Sequence, residues 1–370
     1  MTDTSTNNSA QFQTGRGRQA RSPKRIPWAG WKDVLWRLWR SFNEDRVILT
    51  AAGVTYFVLL ALVPTLTAFV SIYGLFNDTR SVVEQVSLLS GIVPEGGLEL
   101  IREQLTRLAA ENTGTLSVTL LVSLTIALWS ASAGVRSMFD AMNIAYQETE
   151  KRSFFWVTVL AMIYTFAGAI AAILVIATVV ILPPLLQLIP GSDEYAWIVQ
   201  IAAYGLMLLI IALAIGALYR WGPSRERAKW RWITPGAVIS VVLLGLTSVT
   251  FSWYVTNFSD YSAAYGSLGA LIGFLTWVWI SAIIIIVGAE LNSEIEHQTA
   301  QDSTTGEPLP LGQRGARMAD TVGEVIPLDV DKVASLPAVR PTRERISWRA
   351  LAIAAPAAYL ARVLGRRRRS

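Results

Sequence analysis

Two sets of charged and polar side chains stand at the edges of long uncharged stretches, at spacings that could bind ions or polar head groups. In the first set, Glu290 and Glu294 lie four residues apart on one helical face, with Asn292 between them in sequence. Both carboxylates fall at the predicted C-terminus of a helix, where the helix dipole disfavours negative charge. A basic loop at 220–231 or a bound cation would offset this charge, and an inner ion-pair cluster is favoured over a transport site.

The second set follows the second uncharged stretch. Arg136 and Asp140 are also four residues apart and could form an ion pair, and Asn143 lies on nearly the same helical face. At the edge of a membrane this polar stripe could contact lipid head groups or line a vestibule. The alternative is a solvated helix of an inner loop.

Cysteine and histidine chemistry is almost excluded. The chain has no Cys and one His, His297, which removes disulfides, thiolate metal sites and His clusters. We therefore predict no catalytic residues, no metal and no cofactor. No uncharged stretch carries a charge at its centre, which disfavours transport driven by buried carboxylates, although broken helices can also bind ions through backbone carbonyls.

Composition indicates which elements position these residues. Of the 370 residues, 52% are hydrophobic and only 16% are charged, against about 25% charged residues in soluble domains. Six uncharged runs each exceed the ~20 residues that a helix needs to cross a bilayer. They are residues 47–77, 113–135, 153–192, 195–219, 232–259 and 261–289. The predicted fold is all-α: a polytopic membrane protein with six transmembrane helices and interfacial amphipathic helices.

The distribution of basic residues predicts the orientation. Segments 1–46, 134–152, 220–231 and 290–370 carry 9, 3, 5 and 12 Lys or Arg residues, whereas 78–112, 193–194 and 260 carry 3, 0 and 0. Because basic residues are retained on the cytoplasmic side, both termini are predicted to be cytoplasmic. The predicted location is the bacterial cytoplasmic (inner) membrane.

The composition also predicts four regions. Residues 1–27 are expected to form a disordered basic tail, and residues 28–296 the six-span membrane domain. A flexible cytoplasmic linker (297–345) and a basic amphipathic C-terminal segment (346–370) follow. The basic termini should attract anionic lipid head groups, and binding of nucleic acid is not expected.

Residues 28–45 are predicted to form a basic amphipathic helix. Trp31, Leu35, Leu38 and Phe42 recur at helical spacing. The helix either lies in the membrane interface or packs on the cytoplasmic face of the bundle.

The last run and the first supply further candidates for a substrate path. Gly266, Gly269 and Gly273 share one helical face and would let a second helix approach closely. Pro64 should kink the first span, either as a purely structural feature or as a hinge beside the path. The complete candidate set is Pro64, Arg136, Asp140, Asn143, Asn257, Tyr261, Tyr265, Gly266, Gly269, Gly273, Glu290 and Asn292.

Residues 78–112 form the one sizeable exterior segment of this prediction. Amphipathic spacing between glycines and a proline predicts two short helices there. They either cap the outer mouth of the bundle, dock an envelope protein through residues 80–111, or gate lipid.

Several stretches resemble the YihY/virulence factor BrkB family of bacterial inner-membrane proteins. They are DRVILTAAGVTYFVLLALVP (45–64), GVRSMFDAMNIAY (134–146), TPGAVIS (234–240) and NFSDYSAAYGSLGALIGFLTWVWISAIIIIVGAELNSEIE (257–296), in which YGSLGA and GAELN are the most specific elements. The resemblance covers roughly residues 30–296 and implies a six-helix membrane protein. Members of the family once carried the label ribonuclease BN, and some are linked to serum resistance or to envelope lipid export.

Two functions stay open at this point. The first is transport or handling of a lipid-like, amphipathic envelope substrate between leaflets. The second is a non-transporting scaffold or regulator of envelope assembly. Ribonuclease activity is not expected, because a zinc-dependent ribonuclease needs a His-rich cluster that one His cannot supply.

Overall fold

The structure is a computed structural model, which describes residues 15–73, 118–176, 196–258 and 268–327, together with residues 102, 106 and 178. The chain divides into two compact units, Met1–Ile326 and Pro327–Ser370, and all described helices belong to the first. The predicted C-terminal segment 346–370 and nearly all of the exterior segment 78–112 lie outside the described residues.

Seven long α-helices and one short helix form the described part of the chain. They are α1 (Trp28–Glu44), α2 (Val47–Tyr73), α3 (Val118–Ala145), α4 (Phe154–Ile176), α5 (Ala196–Trp221), α6 (Trp230–Phe258), α7 (Leu268–His297) and α8 (Arg317–Asp320), with a 3-10 turn at Pro23–Arg25. These described residues contain no β-strand, only one antiparallel bridge between Ala228 and Thr304. The prediction of an all-helical fold is confirmed for them.

The helices α2 to α7 fall on the six uncharged runs. Among the described residues, four helices are long and apolar enough to cross a membrane, namely α4, α5, α6 and α7. A fifth candidate span arises if α1 and α2, which meet at an angle of 59°, count as one broken span. Six transmembrane helices therefore remain a prediction.

Helix α7 occupies the centre of the described bundle, where it packs against α1, α2, α3 and α6. Small side chains line these contacts, including Ala282 and Ala289 of α7, Ala237 of α6 and Ala51 of α2. In lipid, small residues allow the close backbone approach that drives helix association. The long helix predicted at the last run is thus the core element of this unit.

Helices α4 and α5 present apolar surface to the outside. Phe166 and Ile173 of α4 are more than half exposed, as are Ile201 and Leu213 of α5. A helix that is apolar all round is typical of a membrane span, because lipid solvates its outer face.

The closest helix contact of α7 lies at Gly288. A Cβ added there would overlap the side-chain oxygens of Ser240 and Tyr219, and one added at Gly236 of α6 would overlap the carbonyl oxygen of Gly288. At Gly273, no atom of the described residues lies within 4 Å of such a Cβ. A close approach that the glycine spacing does not indicate thus lies about four helical turns beyond Gly273. The close approach expected at 266–273 stays a prediction, since Gly266 lies outside the described residues.

The sharp bend of the described chain separates α1 from α2 at Asp45 and Arg46. Arg46 has a φ of 49°, a left-handed conformation that ends one helix before the next begins. Pro64 lies inside α2, in the part of that helix whose side chains are outside the described set.

Two segments differ from their predictions as tail and linker. Residues 15–27 and 298–326, which we call the collar, wrap the His297 end of α7. The backbone N of Ala300 donates to the Arg18 carbonyl at 2.8 Å, and that of Gly323 donates to the His297 carbonyl at 2.7 Å. Their polar composition resembles that of disordered chain. The composition does not reveal that their hydrogen-bond partners lie in segments distant in sequence.

The longer half of the collar, which contains only the short helix α8, folds around two side chains. The Asp302 carboxylate accepts from the backbone N of Thr304 at 2.8 Å and of Leu309 at 2.9 Å. The Arg314 guanidinium donates to the carbonyls of Ala319 at 2.6 Å and Ala300 at 2.8 Å. Buried backbone groups are satisfied in this way by side chains instead of a sheet.

Candidate polar site at the His297 end of the bundle

The charged parts of the chain meet at the end of the bundle where α7 reaches His297. Parts of all four segments that the Lys and Arg counts assign to one side of the membrane lie here. The pairs that join them are Arg37 with Glu294, Asn143 with Ser224, and Arg225 with Glu296. If the four segments lie on the same side of the membrane, as predicted, they must meet at one end of the bundle, and their described parts do.

Arg37 of α1 is the centre of the first buried cluster. Its Nε donates to Oε2 of Glu294 at 2.5 Å and its Nη2 donates to Oε1 of Gln298 at 2.8 Å. Its Nη1 donates to the Glu324 carbonyl at 2.8 Å. Arg37 and Glu294 are 1% and 2% exposed. At such burial, each charge depends on the other and on the surrounding hydrogen bonds.

Asp33, one helical turn before Arg37, links α1 to both halves of the collar. Its Oδ1 accepts from Nη1 of Arg16 at 2.6 Å and from the backbone N of Ile326 at 3.1 Å. Nε2 of Gln298 donates to the Arg16 carbonyl at 2.8 Å. The buried face of α1 therefore carries charged side chains beside the apolar Val34, and it packs on the bundle.

The opposite face of α1 remains apolar and exposed. Trp28, Leu35 and Trp39 are 67%, 47% and 72% exposed. Tryptophan side chains prefer the head-group level of a bilayer. Packing of this helix on the bundle is thus observed, and a position of its exposed face in the membrane interface stays a prediction.

Arg225 and Glu296 form a second buried ion pair, 2.7 Å apart. The Ser303 hydroxyl of the collar donates to the same carboxylate oxygen at 2.7 Å. The guanidinium also lies 4.6 Å from the ring centre of Tyr146. Burial, and secondarily the charge of Glu296, raises the pKa of Tyr146 well above its usual range, so its hydroxyl stays protonated.

Glu290 lies one turn deeper in the bundle than Glu294. Its Oε1 is buried and has no hydrogen-bond partner among the described residues. Its carboxyl group interacts with Asp45, at the bend between α1 and α2. Burial raises the pKa of Asp45, while the hydrogen bond to Glu290 acts in the opposite direction. Two carboxyl groups share a hydrogen bond only when one of them carries a proton.

Polar contacts also join α7 to α5 and α6 deeper in the bundle. Oδ1 of Asn292 accepts from the backbone N of Gly236 at 2.8 Å. The Tyr219 hydroxyl donates to the Ile285 carbonyl at 2.7 Å and lies 2.8 Å from the Ser240 hydroxyl. Such interhelical hydrogen bonds stabilise helix packing in membranes.

Asn143 joins two loops of this end. Its Oδ1 accepts from the backbone N of Ser224 at 2.7 Å and its Nδ2 donates to Glu150 at 3.0 Å. Glu150 also accepts from Arg152 at 2.7 Å. Burial alone would raise the pKa of Glu150, but these hydrogen bonds from Arg152 and Asn143 hold it at about 2.

Arg136 and Asp140 form no ion pair within 4.0 Å, although both side chains are described. Nη1 of Arg136 instead donates to the Thr158 hydroxyl of α4 at 3.1 Å. Its guanidinium also lies 5.4 Å from the ring centre of Trp129 and 5.8 Å from that of Phe154. Arg136 therefore connects α3 to α4 at a surface rich in aromatic side chains.

The described candidate residues lie at different ends of the bundle. Asn143, Glu290 and Asn292 lie at the His297 end, whereas Asn257, Gly269 and Gly273 belong to the opposite ends of α6 and α7. Asn257 is exposed, and its Nδ2 donates to the Trp253 carbonyl at 2.8 Å. Tyr261, Tyr265 and Gly266 lie outside the described residues. A role of these residues in a substrate path stays a prediction.

Sequence reasoning missed the residues that hold this end together, above all Arg37, Gln298 and Arg225. One signal for Arg37 was present, since Asp33, Arg37 and Ser41 follow a spacing of four residues along one face of α1. A polar stripe opposite an apolar face predicts a buried ionic contact as readily as a solvated surface. Gln298 carried no comparable signal.

The described residues contain no group of three or more His, Asp or Glu side chains placed to hold a metal ion. His297 lies beside Glu294, with Nδ1 3.7 Å from Oε2, and its Nε2 lies 3.0 Å from the Thr321 hydroxyl. This arrangement attaches the collar to α7.

Comparison with known proteins places the chain among membrane proteins. The family model described as virulence factor BrkB matches residues 38–310, from α1 into the collar. The ribonuclease-like protein YfkH of Bacillus subtilis is 31% identical over 259 residues, which are 66% of this chain and 88% of that protein.

A UPF0761 membrane protein of Xanthomonas campestris is 28% identical over 266 residues. The match covers 70% of this chain and 59% of the Xanthomonas protein, so the chain spans little more than half of that relative. No solved structure gives a significant match.

Proposed function

Because the chain belongs to the virulence factor BrkB family of membrane proteins, we propose that it handles an amphipathic, lipid-like envelope substrate in the bacterial cytoplasmic membrane. The observation that carries this proposal is a belt of arginine–aromatic pairs at the His297 end of the bundle. Such a belt suits the head-group layer of a membrane that contains anionic lipid.

The belt lies where helices end. The Arg220 guanidinium is 5.5 Å from the ring centre of Trp221 and 5.1 Å from that of Trp230, at the junction of α5 and α6. Arg136 lies against Phe154, which begins α4 and is 71% exposed. Aromatic rings prefer the membrane–water interface, and arginine side chains extend from it towards phosphate groups.

The His297 end of the bundle also supports the predicted orientation of the protein in the membrane. Described parts of the basic segments share this end of the bundle, and retention of Lys and Arg on the cytoplasmic side supports its assignment as the cytoplasmic end. With six spans, both termini of the chain are then cytoplasmic. A protein with this orientation meets its lipid substrate first in the inner leaflet.

Ribonuclease activity is not part of this proposal. The relative from Bacillus subtilis carries a ribonuclease-like name. In this chain the sole histidine is bound between Glu294 and the collar, and it has no second imidazole with which to share acid–base chemistry.

The first test is lipid binding and movement by the purified full-length chain. Native mass spectrometry in mild detergent should show a co-purifying lipid, and reconstituted vesicles should move fluorescent phosphatidylglycerol between leaflets faster than protein-free vesicles. Dithionite bleaching of the outer leaflet measures the movement. A lipid-free protein that leaves this rate unchanged contradicts the proposal.

The same preparation discriminates the alternative of a scaffold in envelope assembly. A stoichiometric protein partner that is lost when residues 82–108 are deleted would support docking through the exterior segment 80–111. Lipid movement that survives this deletion would support handling of lipid by the bundle.

A further inference from the structure

A pocket with a volume of about 500 Å³ lies between the start of α4 and the end of α5. The loop that follows α3 and the loop between α5 and α6 both contribute to its polar wall. Gly315 of the collar closes one side, where its carbonyl accepts from the backbone N of Glu226 at 3.2 Å. No candidate residue from the sequence analysis lines this pocket.

The polar wall of the pocket is strongly basic. Its basic residues are Lys151, Arg152, Arg220, Arg225 and Arg227, and its one carboxylate is Glu226. Three of the five are already paired: Lys151 with Glu148, Arg152 with Glu150, and Arg225 with Glu296. The guanidinium groups of Arg220 and Arg227 have no carboxylate partner among the described residues, so positive charge remains on this wall.

Two buried donors of this wall are unsatisfied. Nε of Arg220 and Nη1 of Arg225 are buried and have no hydrogen-bond partner among the described residues. The Arg225 side chain is only 2% exposed. A buried N–H without an acceptor is costly, and a bound anion with several oxygens would satisfy such groups. Guanidinium groups suit phosphate oxygens because their N–H groups form a planar fork.

The apolar part of the lining comes from α4 and from the end of α5. It includes Trp156, Leu160 and Trp221. Trp156 is 57% exposed, and its neighbours Phe154 and Phe155 on the first turn of α4 are 71% and 75% exposed. A soluble anion would contact only the basic wall, whereas a ligand with an acyl chain would use both.

We propose that this pocket binds the phosphate-bearing head group of an anionic membrane lipid, with the acyl chains lying along the exposed face of α4. The inference rests on the proposed function and supplies its substrate class. The N-terminus of α4 adds a favourable dipole at the same place, since the positive end of the helix points towards the loop that carries Lys151 and Arg152.

The test compares the full-length protein with variants of the two arginines that have no carboxylate partner. Arg227→Gln and Arg220→Gln remove positive charge from the pocket, and Arg231→Gln is the matched control, since Arg231 is exposed and lies outside the pocket. Native mass spectrometry measures binding of phosphatidylglycerol, phosphatidylcholine and inorganic phosphate to each protein.

We expect the unchanged protein to bind phosphatidylglycerol more tightly than phosphatidylcholine. Each pocket variant should lose about tenfold in affinity for phosphatidylglycerol, the loss typical of one charge-assisted hydrogen bond. The control variant should bind like the unchanged protein. Circular dichroism and gel filtration show whether the variants remain folded, and Arg220→Lys tests whether charge alone restores binding.

Three outcomes overturn the proposal. Equal affinity for phosphatidylglycerol and phosphatidylcholine would show that the protein does not recognise the head group. An equal loss of affinity in the control variant Arg231→Gln would show that binding occurs outside the pocket. Inorganic phosphate that binds as tightly as phosphatidylglycerol, and is lost in the same variants, identifies a soluble phosphate as the ligand.

The outcomes also separate this proposal from the proposed function. Lipid movement that persists without head-group preference in the unchanged protein contradicts the pocket and leaves lipid handling intact. Head-group binding at the pocket without any lipid movement contradicts the handling of lipid and leaves the site intact.

Discussion

Replacement of Arg37 tests whether the buried ion pair attaches α1 and the collar to the end of α7. In Arg37→Met, an unbranched apolar side chain replaces the guanidinium, so the buried Glu294 carboxylate keeps only the 3.3 Å hydrogen bond from Ser41 and the neighbouring His297. Gln298 and the Glu324 carbonyl lose their donors as well. Removal of one partner of a buried pair typically costs about 3–5 kcal/mol. We expect the free energy of unfolding to fall by about this amount.

The assay is equilibrium unfolding of the purified protein in mixed SDS and detergent micelles, followed by circular dichroism. Trypsin cleavage under native conditions gives a second readout, since Arg314 and Arg317 of the collar should become accessible when Arg37 no longer binds the Glu324 carbonyl. Both readouts should change together. A loss of stability without cleavage in the collar would place the effect elsewhere.

Arg40→Met is the matched control, three residues further along α1. Its guanidinium is 43% exposed and pairs with Glu324 at 2.8 Å and Glu44 at 3.5 Å, both at the surface. Exposed ion pairs contribute little to stability, because water already solvates both charges. Equal destabilisation by Arg37→Met and Arg40→Met would refute the reasoning.

The double variant Arg37→Met, Glu294→Gln completes the cycle. Removal of both charges leaves no uncompensated ion in the interior, so the double variant should be more stable than Arg37→Met alone. Additive losses from the two substitutions would show that Arg37 and Glu294 do not depend on each other.

Three further predictions test other contacts. Gly288→Ala should destabilise the protein by about 1–3 kcal/mol because its Cβ overlaps Ser240, whereas Gly273→Ala should cost little, and SDS unfolding compares the two. Tyr219→Phe removes the hydroxyl that donates to the Ile285 carbonyl and should cost about 0.5–1.5 kcal/mol in the same assay; an unchanged midpoint would contradict this. Glu150 has a pKa of about 2 against its usual 4.5, so its contribution is present above pH 4.5 and is lost as the pH falls towards 2. The melting temperature of Glu150→Gln should therefore fall less in that pH window than that of the unchanged protein. Parallel curves of melting temperature against pH for the two proteins would refute this.

The positions of the helices can largely be predicted from the sequence, whereas the contacts between them cannot. Uncharged runs locate α2 to α7 because a bilayer demands continuous apolar length. The spacing of three glycines predicts a close contact at 266–273, but it gives no sign of the close approach that the structure shows at Gly288. A single glycine at a helix crossing has no periodic pattern to reveal it.

The ionic partners show the same limit. A basic loop at 220–231 was expected to offset Glu290 and Glu294. The structure pairs Glu294 with Arg37, which is 257 residues away in sequence, and that loop supplies Arg225 to Glu296 instead. Charge balance predicts that a partner exists, but only the packing of helices determines which side chain it is.

The contacts of Asp33 and Arg37 with α7 and the collar have a consequence for the biogenesis of the protein. Asp33 and Arg37 leave the ribosome early, whereas Glu294, the first partner of Arg37 to follow, is synthesised 257 residues after Arg37. Until then α1 has a charged face without its counter-charge, so it cannot dock stably on the helices that follow it. A prematurely terminated chain that lacks α7 would keep this face open to quality-control proteases. Synthesis of α7 and the collar, rather than insertion of the first span, is thus the event that fixes α1 in place.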